Sequence, residues 1–281
     1  VGIFDFFKKG GSAKGTSAPP PAAPVDKRVA GPAKLAADKR AQTYDRIEAI
    51  QALVALASPE AATALLKRFS FSIDPSITDQ EEKDLAFQGI VAAGRGLELP
   101  KDPAEREKAL ADLKARRDEV IDSVVAYCER AEQLTWPLKV LRELLDDEEY
   151  GAELVELLER HDTEYARNVE PKVQLIKALE SIVSPEARQE AERFLDDVNE
   201  TVRFHAVETT FAQNDPASVP ALVKLLAAEE SVRVKNKVAE GLLQRGMVIP
   251  SELRDTARDA LVDTNGYSVE ADGKVVRRGG Y

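Results

Sequence analysis

The chain has 281 residues but only one cysteine, two histidines and 6% aromatic side chains. With Cys128 alone, neither an intramolecular disulfide nor a thiolate metal site can form within the chain. A reducing, cytoplasmic setting is therefore expected. His161 and His205 fall in no HExxH or Cys/His spacing, so no metal site is expected. No apolar run reaches the roughly 18 residues of a membrane-spanning helix. There is no GxxxxGK[ST] loop and no GxSxG elbow, and Gly94-Arg95-Gly96 lacks the flanking strand of a dinucleotide fingerprint. Basic residues are outnumbered 39 to 50, for a formal net charge of −11. An acidic surface repels phosphate backbones, so nucleic-acid binding is not expected. No catalytic residue and no cofactor is assigned.

What is present is helix-forming composition and an internal period. Ala, Leu, Glu, Lys and Arg dominate, residues that lose little side-chain freedom in a helix. Lys172 is followed thirteen residues later by Pro185, Arg203 thirteen residues later by Pro216, and the two copies are 31 residues apart. Arg46, 126 residues before Lys172, is followed by Pro59 at the same spacing. Ile47–Phe69 and Val173–Leu195 align without a gap at Ile50/Ile176, Ala52/Ala178, Leu53/Leu179 and at Ser-Pro-Glu-Ala. A fixed period of this size marks stacked helical repeats, each with an apolar face that only a neighbour can cover.

In chain order, Val1 before Gly-Ile-Phe reads as a non-AUG bacterial start written literally. Residues 1–9 form an amphipathic tip, with Ile3, Phe4, Phe6 and Phe7 beside Lys8 and Lys9. It is a candidate to dock on a protein groove or a membrane surface, the alternative being a first turn that folds back on the scaffold or a plain tail. Residues 10–34, rich in Pro, Ala, Gly and Ser, are expected to be a disordered linker. Residues 35–263 are the helical repeat domain. Its middle unit is expanded over 95–134: Lys83 to Lys139 spans 56 residues, about 25 beyond the period. The excess goes into one long charged helix from Ala104 to about Leu134, whose Arg106, Arg116 and Arg117 are candidate partner contacts. Asp146-Asp147-Glu148-Glu149 is an acidic turn able to cap the following helix. Ser251 is placed to cap a short closing helix. Residues 264–281 predict a β-hairpin, with Asp272-Gly273 as a two-residue turn.

Asp197, Val202-Arg203 and Ala206-Val207, followed by Asp215-Pro216, Val219-Pro220-Ala221-Leu222 and Leu225-Leu226, resemble a HEAT repeat. The pattern is more narrowly similar to the bacterial phycocyanobilin-lyase-like kind. The resemblance runs from about Ala41 to Leu243 and is strongest in the last two complete copies. Ala227 departs from it, standing where an acidic residue is expected five before Val232. The resemblance implies an all-α, HEAT-like α-solenoid of about six antiparallel helix pairs, to which the readings above add a disordered N-terminal arm and a small C-terminal β-hairpin. It also implies an Asp–Arg ladder tying successive repeats. Asp197, Arg46, Lys172 and Arg203 are its candidate members, with Lys83, Lys139 and either Arg233 or Lys235 at the remaining cationic places.

The leading expectation is a non-enzymatic scaffold or adaptor that binds a protein, one of basic character, on its helical surface. The tip would be a second docking element, to protein or to the membrane periphery. The family likeness also admits a bilin lyase or chaperone-like protein. A more remote alternative is a HEAT-type DNA-base glycosylase, which the charge and the shortage of aromatics oppose.

Overall fold

The computed structural model describes residues 26–96, 102–163, 167–264 and 266–277. Residues 1–25, which include the whole tip and most of the linker, lie outside them.

The first helix corrects the linker boundary. Helix α1 (Lys27–Ala36) begins inside the stretch assigned to disorder, with Asp26 as its N-cap accepting from the Arg28 N–H at 2.9 Å. Gly31 and Pro32 lie within it and oppose helix on propensity alone. Packing against the next two helices overrides them, burying Val29 and Ala36.

Among the described residues twelve α-helices follow, in six consecutive pairs. They are α2 (Thr43–Leu56) with α3 (Pro59–Leu66), α4 (Ser76–Arg95) with α5 (Pro103–Cys128), and α6 (Thr135–Leu144) with α7 (Asp147–His161). Then come α8 (Glu170–Ala178) with α9 (Pro185–Arg193), α10 (Glu200–Ala212) with α11 (Val219–Ala228), and α12 (Val232–Arg245) with α13 (Arg254–Ala260). First helices stack on first helices: α4 packs on α2 and α6, and α10 packs on α8 and α12. Second helices form the other layer, α5 against α3 and α7, and α11 against α13. The chain is an all-α solenoid, and its core runs between the two layers through Ile50, Leu53, Ile90, Leu141, Leu157, Ile176, Val207, Leu222 and Val238.

The repeated Ser-Pro-Glu-Ala has a local cause. Ser58 and Ser184 are the N-caps of α3 and α9, accepting from the N–H groups of Ala61 (3.2 Å) and Ala187 (3.0 Å). The proline after each serine sits in the first turn, where its missing N–H costs nothing. Asp215 does the same before Pro216, accepting from the Ala217 N–H at 2.9 Å. Asp146 and Glu149 form a reciprocal capping box at the start of α7.

Two further boundaries differ from expectation. Helix α5 ends at Cys128, six residues short, and a turn carries the chain to Thr135. Ser251 caps no closing helix; its hydroxyl bonds Glu252, and a 3-10 turn (Ser251–Leu253) leads into α13. The hairpin forms, with β1 (Tyr267–Val269) antiparallel to β2 (Val275–Arg277) and Val269 opposite Val275. Its loop is not the two-residue turn predicted. Glu270 N–H reaches the Lys274 carbonyl at 2.9 Å and Gly273 N–H the Glu270 carbonyl at 3.0 Å. That makes a three-residue loop with Gly273 at φ +90°. Tertiary contacts select it: Ile249 N–H bonds the Gly273 carbonyl at 2.9 Å, and Arg254 donates to the carbonyls of Ala271 (2.6 Å) and Asp272 (3.2 Å). A Cβ on residue 273 would sit 2.4 Å from the Ile249 carbonyl oxygen.

Candidate functional site

One edge of the solenoid carries a continuous line of charge. Lys172, on α8 and only 3% exposed, donates to Asp162 (3.0 Å) in the turn before its helix and to Asp197 (2.8 Å) in the turn after its pair. Arg203, on α10, donates to the main-chain carbonyl of Asp197 (2.8 Å) and with two nitrogens to Glu229 (2.7 and 2.9 Å). The order Asp162, Lys172, Asp197, Arg203, Glu229 therefore alternates sign and spans three inter-repeat turns. Burial disfavours charge on Lys172, yet the bonds from Asp197 and Asp162 outweigh it and raise its pKa. Burial likewise pushes the Glu229 carboxyl up, but Arg203 and the Ser231 N–H more than offset this and hold it below the usual range.

Glu229 was not singled out in the sequence. It lies 26 residues after Arg203, as Asp197 lies 25 after Lys172. That spacing was the available signal, and it puts the acidic place three residues before Val232 rather than at Ala227.

The N-terminal repeats build a larger version. Arg46 repeats the Arg203 geometry, bonding the Ala41 carbonyl at 2.7 Å and both oxygens of Glu82 at 2.7 and 2.9 Å. Arg68, fully buried, shares Glu82 (2.6 Å) and also bonds Asp79 (2.7 Å), which in turn holds Lys83 (2.7 Å). Burial of Asp79 is outweighed by Lys83 and Arg68, so its pKa is lowered. Lys83 thus pairs within its own helix rather than with the next repeat.

Two of the proposed ladder cations are not buried rungs. Lys139 is exposed, its ammonium 4.4 Å from the centre of the Trp136 ring. Arg233 is exposed, 3.8 Å over the Phe204 ring and 3.4 Å from Glu200. Gly246 at φ +61° ends α12.

The partner-contact candidates also separate. Arg116 donates to the Ala93 carbonyl (2.8 Å) and Arg117 to the Leu144 carbonyl (2.9 Å), at the C-terminal ends of α4 and α6. Arg117 also pairs with Glu149. Both arginines fix α5 to the stack, satisfying last-turn carbonyls as cations do, so they are not free surface contacts. Arg106 is exposed. Ile3, Phe4, Phe6 and Phe7 lie outside the described residues.

Two grooves lie in this segment, and one of them borders the charged line. The larger, about 410 Å³, lies between the 3-10 turn Phe194–Asp196 and α11. Leu195, Val198, Ala221, Leu225 and Ala228 give it an apolar lining, and its charges are five carboxylates and two cations. Asp196 and Glu230 are exposed on its rim, with no ion pair among the described residues. The smaller, about 340 Å³, lies across α8, α10 and α12. Glu208 on its wall is paired with Lys237 (2.7 Å) and His205 (2.8 Å).

Residues 152–243 match the family model for HEAT repeats. This segment is similar to HEAT repeats. It contains the Asp162–Glu229 line and the whole lining of the larger groove. No curated protein matches the chain in sequence. A solved structure described as "Computational Design of Self-Assembling Cyclic Protein Homooligomers" aligns over 84% of this chain and 87% of its own, at 14% identity and a TM-score of 0.21.

Among the described residues no helix is long and apolar enough to cross a membrane. Nor does any group of three or more His, Cys, Asp or Glu side chains stand ready to hold a metal ion. Cys128 is buried, and burial pushes its thiol up to about 12, far from a reactive thiolate. His161 Nε2 lies 2.9 Å from the Cys128 carbonyl oxygen, joining α7 to α5.

Proposed function

We propose that the protein is a non-enzymatic scaffold that binds a basic protein partner on the acidic edge of its HEAT-repeat segment. The observation that carries this reading is the groove beside the Lys172–Arg203 line. Its inward carboxylates, Asp197 and Glu229, are neutralised by the ladder, while its outer ones, Asp196 and Glu230, are left unpaired. Unpaired rim charge on a repeat solenoid gives complementarity and steering toward a cationic surface. A bilin lyase or chaperone would use aromatic side chains around the pigment, and the larger groove is lined by none. A base glycosylase would use a cationic face, and this edge is acidic.

The test is zero-length carbodiimide cross-linking of the full chain in native lysate, which joins carboxylates to partner lysines in contact. The expected result is recurrent cross-links from carboxylates of residues 152–243 to one protein, unchanged on deleting residues 1–25. Cross-links scattered over the surface without a recurrent protein would overturn the scaffold reading. Loss of the partner on deletion would move the docking element to the tip.

A further inference from the structure

We infer that the groove between the Phe194–Asp196 turn and α11 is a pocket for one basic side chain, lysine or arginine, of an extended segment of the partner. This rests on the scaffold reading above and names the chemistry of its site.

Three independent features select that occupant. The floor is apolar, with Leu195 and Leu225 beneath and Val198 59% exposed at the side, which suits the aliphatic stem of a long basic residue rather than a compact polar group. Asp196 and Glu230 stand at the rim as exposed carboxylates without an ion pair among the described residues, so a cationic head meets acceptors not already engaged. The groove also receives the C-terminal end of α11, where Leu225 and Ala228 line it and the helix dipole is negative. Two cations line the groove: Lys224, which is exposed, and Arg203, which is held by Glu229. The ladder supplies the rigidity. Arg203 and Glu229 form one wall, and their bidentate bond locks the turn before α12 to α10. At about 410 Å³ the groove lies within the range of about 300–1,000 Å³ typical of ligand pockets.

An amide-shift NMR titration of the isotope-labelled full chain tests the assignment. The probe is a short acetylated peptide with one arginine between alanine and valine residues. Its control carries citrulline, which keeps the shape and removes the charge. The arginine peptide is expected to move the amides of Val198, Ala221 and Ala228 and to bind about tenfold more tightly than the citrulline peptide. The double variant Asp196→Asn/Glu230→Gln, which alters only exposed side chains, is expected to lose about tenfold in affinity while keeping the wild-type melting temperature. Glu240→Gln, in the smaller groove, is expected to leave binding unchanged.

Shifts that map elsewhere, or equal affinity for wild type and the double variant, would overturn the pocket while leaving a basic partner in place. No binding to the wild type would overturn the pocket, whereas the cross-linking result judges the scaffold on its own. Tighter peptide binding after deletion of residues 1–25 would mean that the chain's own Lys8–Lys9 segment occupies the groove, and would overturn the assignment to a partner.

Discussion

Arg203 grips both carboxylate oxygens of Glu229 at 2.7 and 2.9 Å, and Arg46 grips Glu82 at the same two distances. The partners are 26 residues apart in one case and 36 in the other. The same bond is thus built on different loop lengths. What is held constant is the joint between a first helix and the repeat that follows it.

The two joints differ in burial, and this sets the cost of breaking them. Glu82→Gln leaves Arg46 without a charged partner and Arg68 with Asp79 alone, and the two arginine side chains are 2% and 0% exposed. A loss of about 3–5 kcal/mol is expected. Glu229→Gln leaves Arg203, 19% exposed, and should cost less, roughly 2 kcal/mol. Urea denaturation followed by circular dichroism reads both. Because repeats contact only their neighbours, hydrogen exchange should rise in α12 and α13 for Glu229→Gln and stay unchanged in α2.

Acid should loosen the ladder. Asp79 and Glu229 have folded pKa values below their ordinary 3.8 and 4.5. A depressed carboxyl contributes its full stability above the unfolded pKa and loses it as pH falls through the folded one. The melting temperature is therefore expected to hold from neutral pH to about 5 and to fall below about 4. In Glu229→Gln the acid limb should be shallower. An equally steep limb would show that other groups govern acid unfolding.

Glu153 behaves in the opposite sense. One of its carboxylate oxygens is buried with no hydrogen-bond partner, and burial, then the neighbouring Glu156, raises its pKa. A raised carboxyl costs stability above the unfolded pKa, and that cost disappears as the group protonates. Glu153→Gln should stabilise the chain at pH 7, by less than about 2 kcal/mol, and match wild type near pH 4. Melting curves at the two pH values decide it.

Gly241 sets the approach of α10 and α12. A Cβ there would lie 2.2 Å from the Phe211 ring. Gly241→Ala is expected to cost about 1–3 kcal/mol by overpacking. Adding Phe211→Leu should recover part of the loss, since the two residues share one space. If the double variant is no more stable than the sum of the singles predicts, the clash is not the cause.

The solenoid was legible because its signals are local and repeat. Thirteen residues separate Arg46 from Pro59, Lys172 from Pro185 and Arg203 from Pro216. That distance is one helix and a turn, and the residue before each proline is an N-cap that works within three residues of itself. The site was less legible. Arg116 and Arg117 read as surface charge on a projecting helix, and only the carbonyls of Ala93 and Leu144, brought in from two other helices, show them to be anchors.

By itself, then, the sequence determined the repeated helices, their apolar faces and the Ser58, Ser184 and Asp215 caps, all of which follow from spacing along the chain. Tertiary structure decided which charges are spent and which remain. Glu82, Arg68 and Glu229 became buried partners because a neighbouring repeat stood opposite. Arg233 stayed exposed over the Phe204 ring, and Asp196 and Glu230 were left on the rim of a groove. Pairing depends on what burial brings within about 3 Å, and no period in one dimension encodes that distance. The same packing turned Gly31-Pro32 from a linker signal into part of α1.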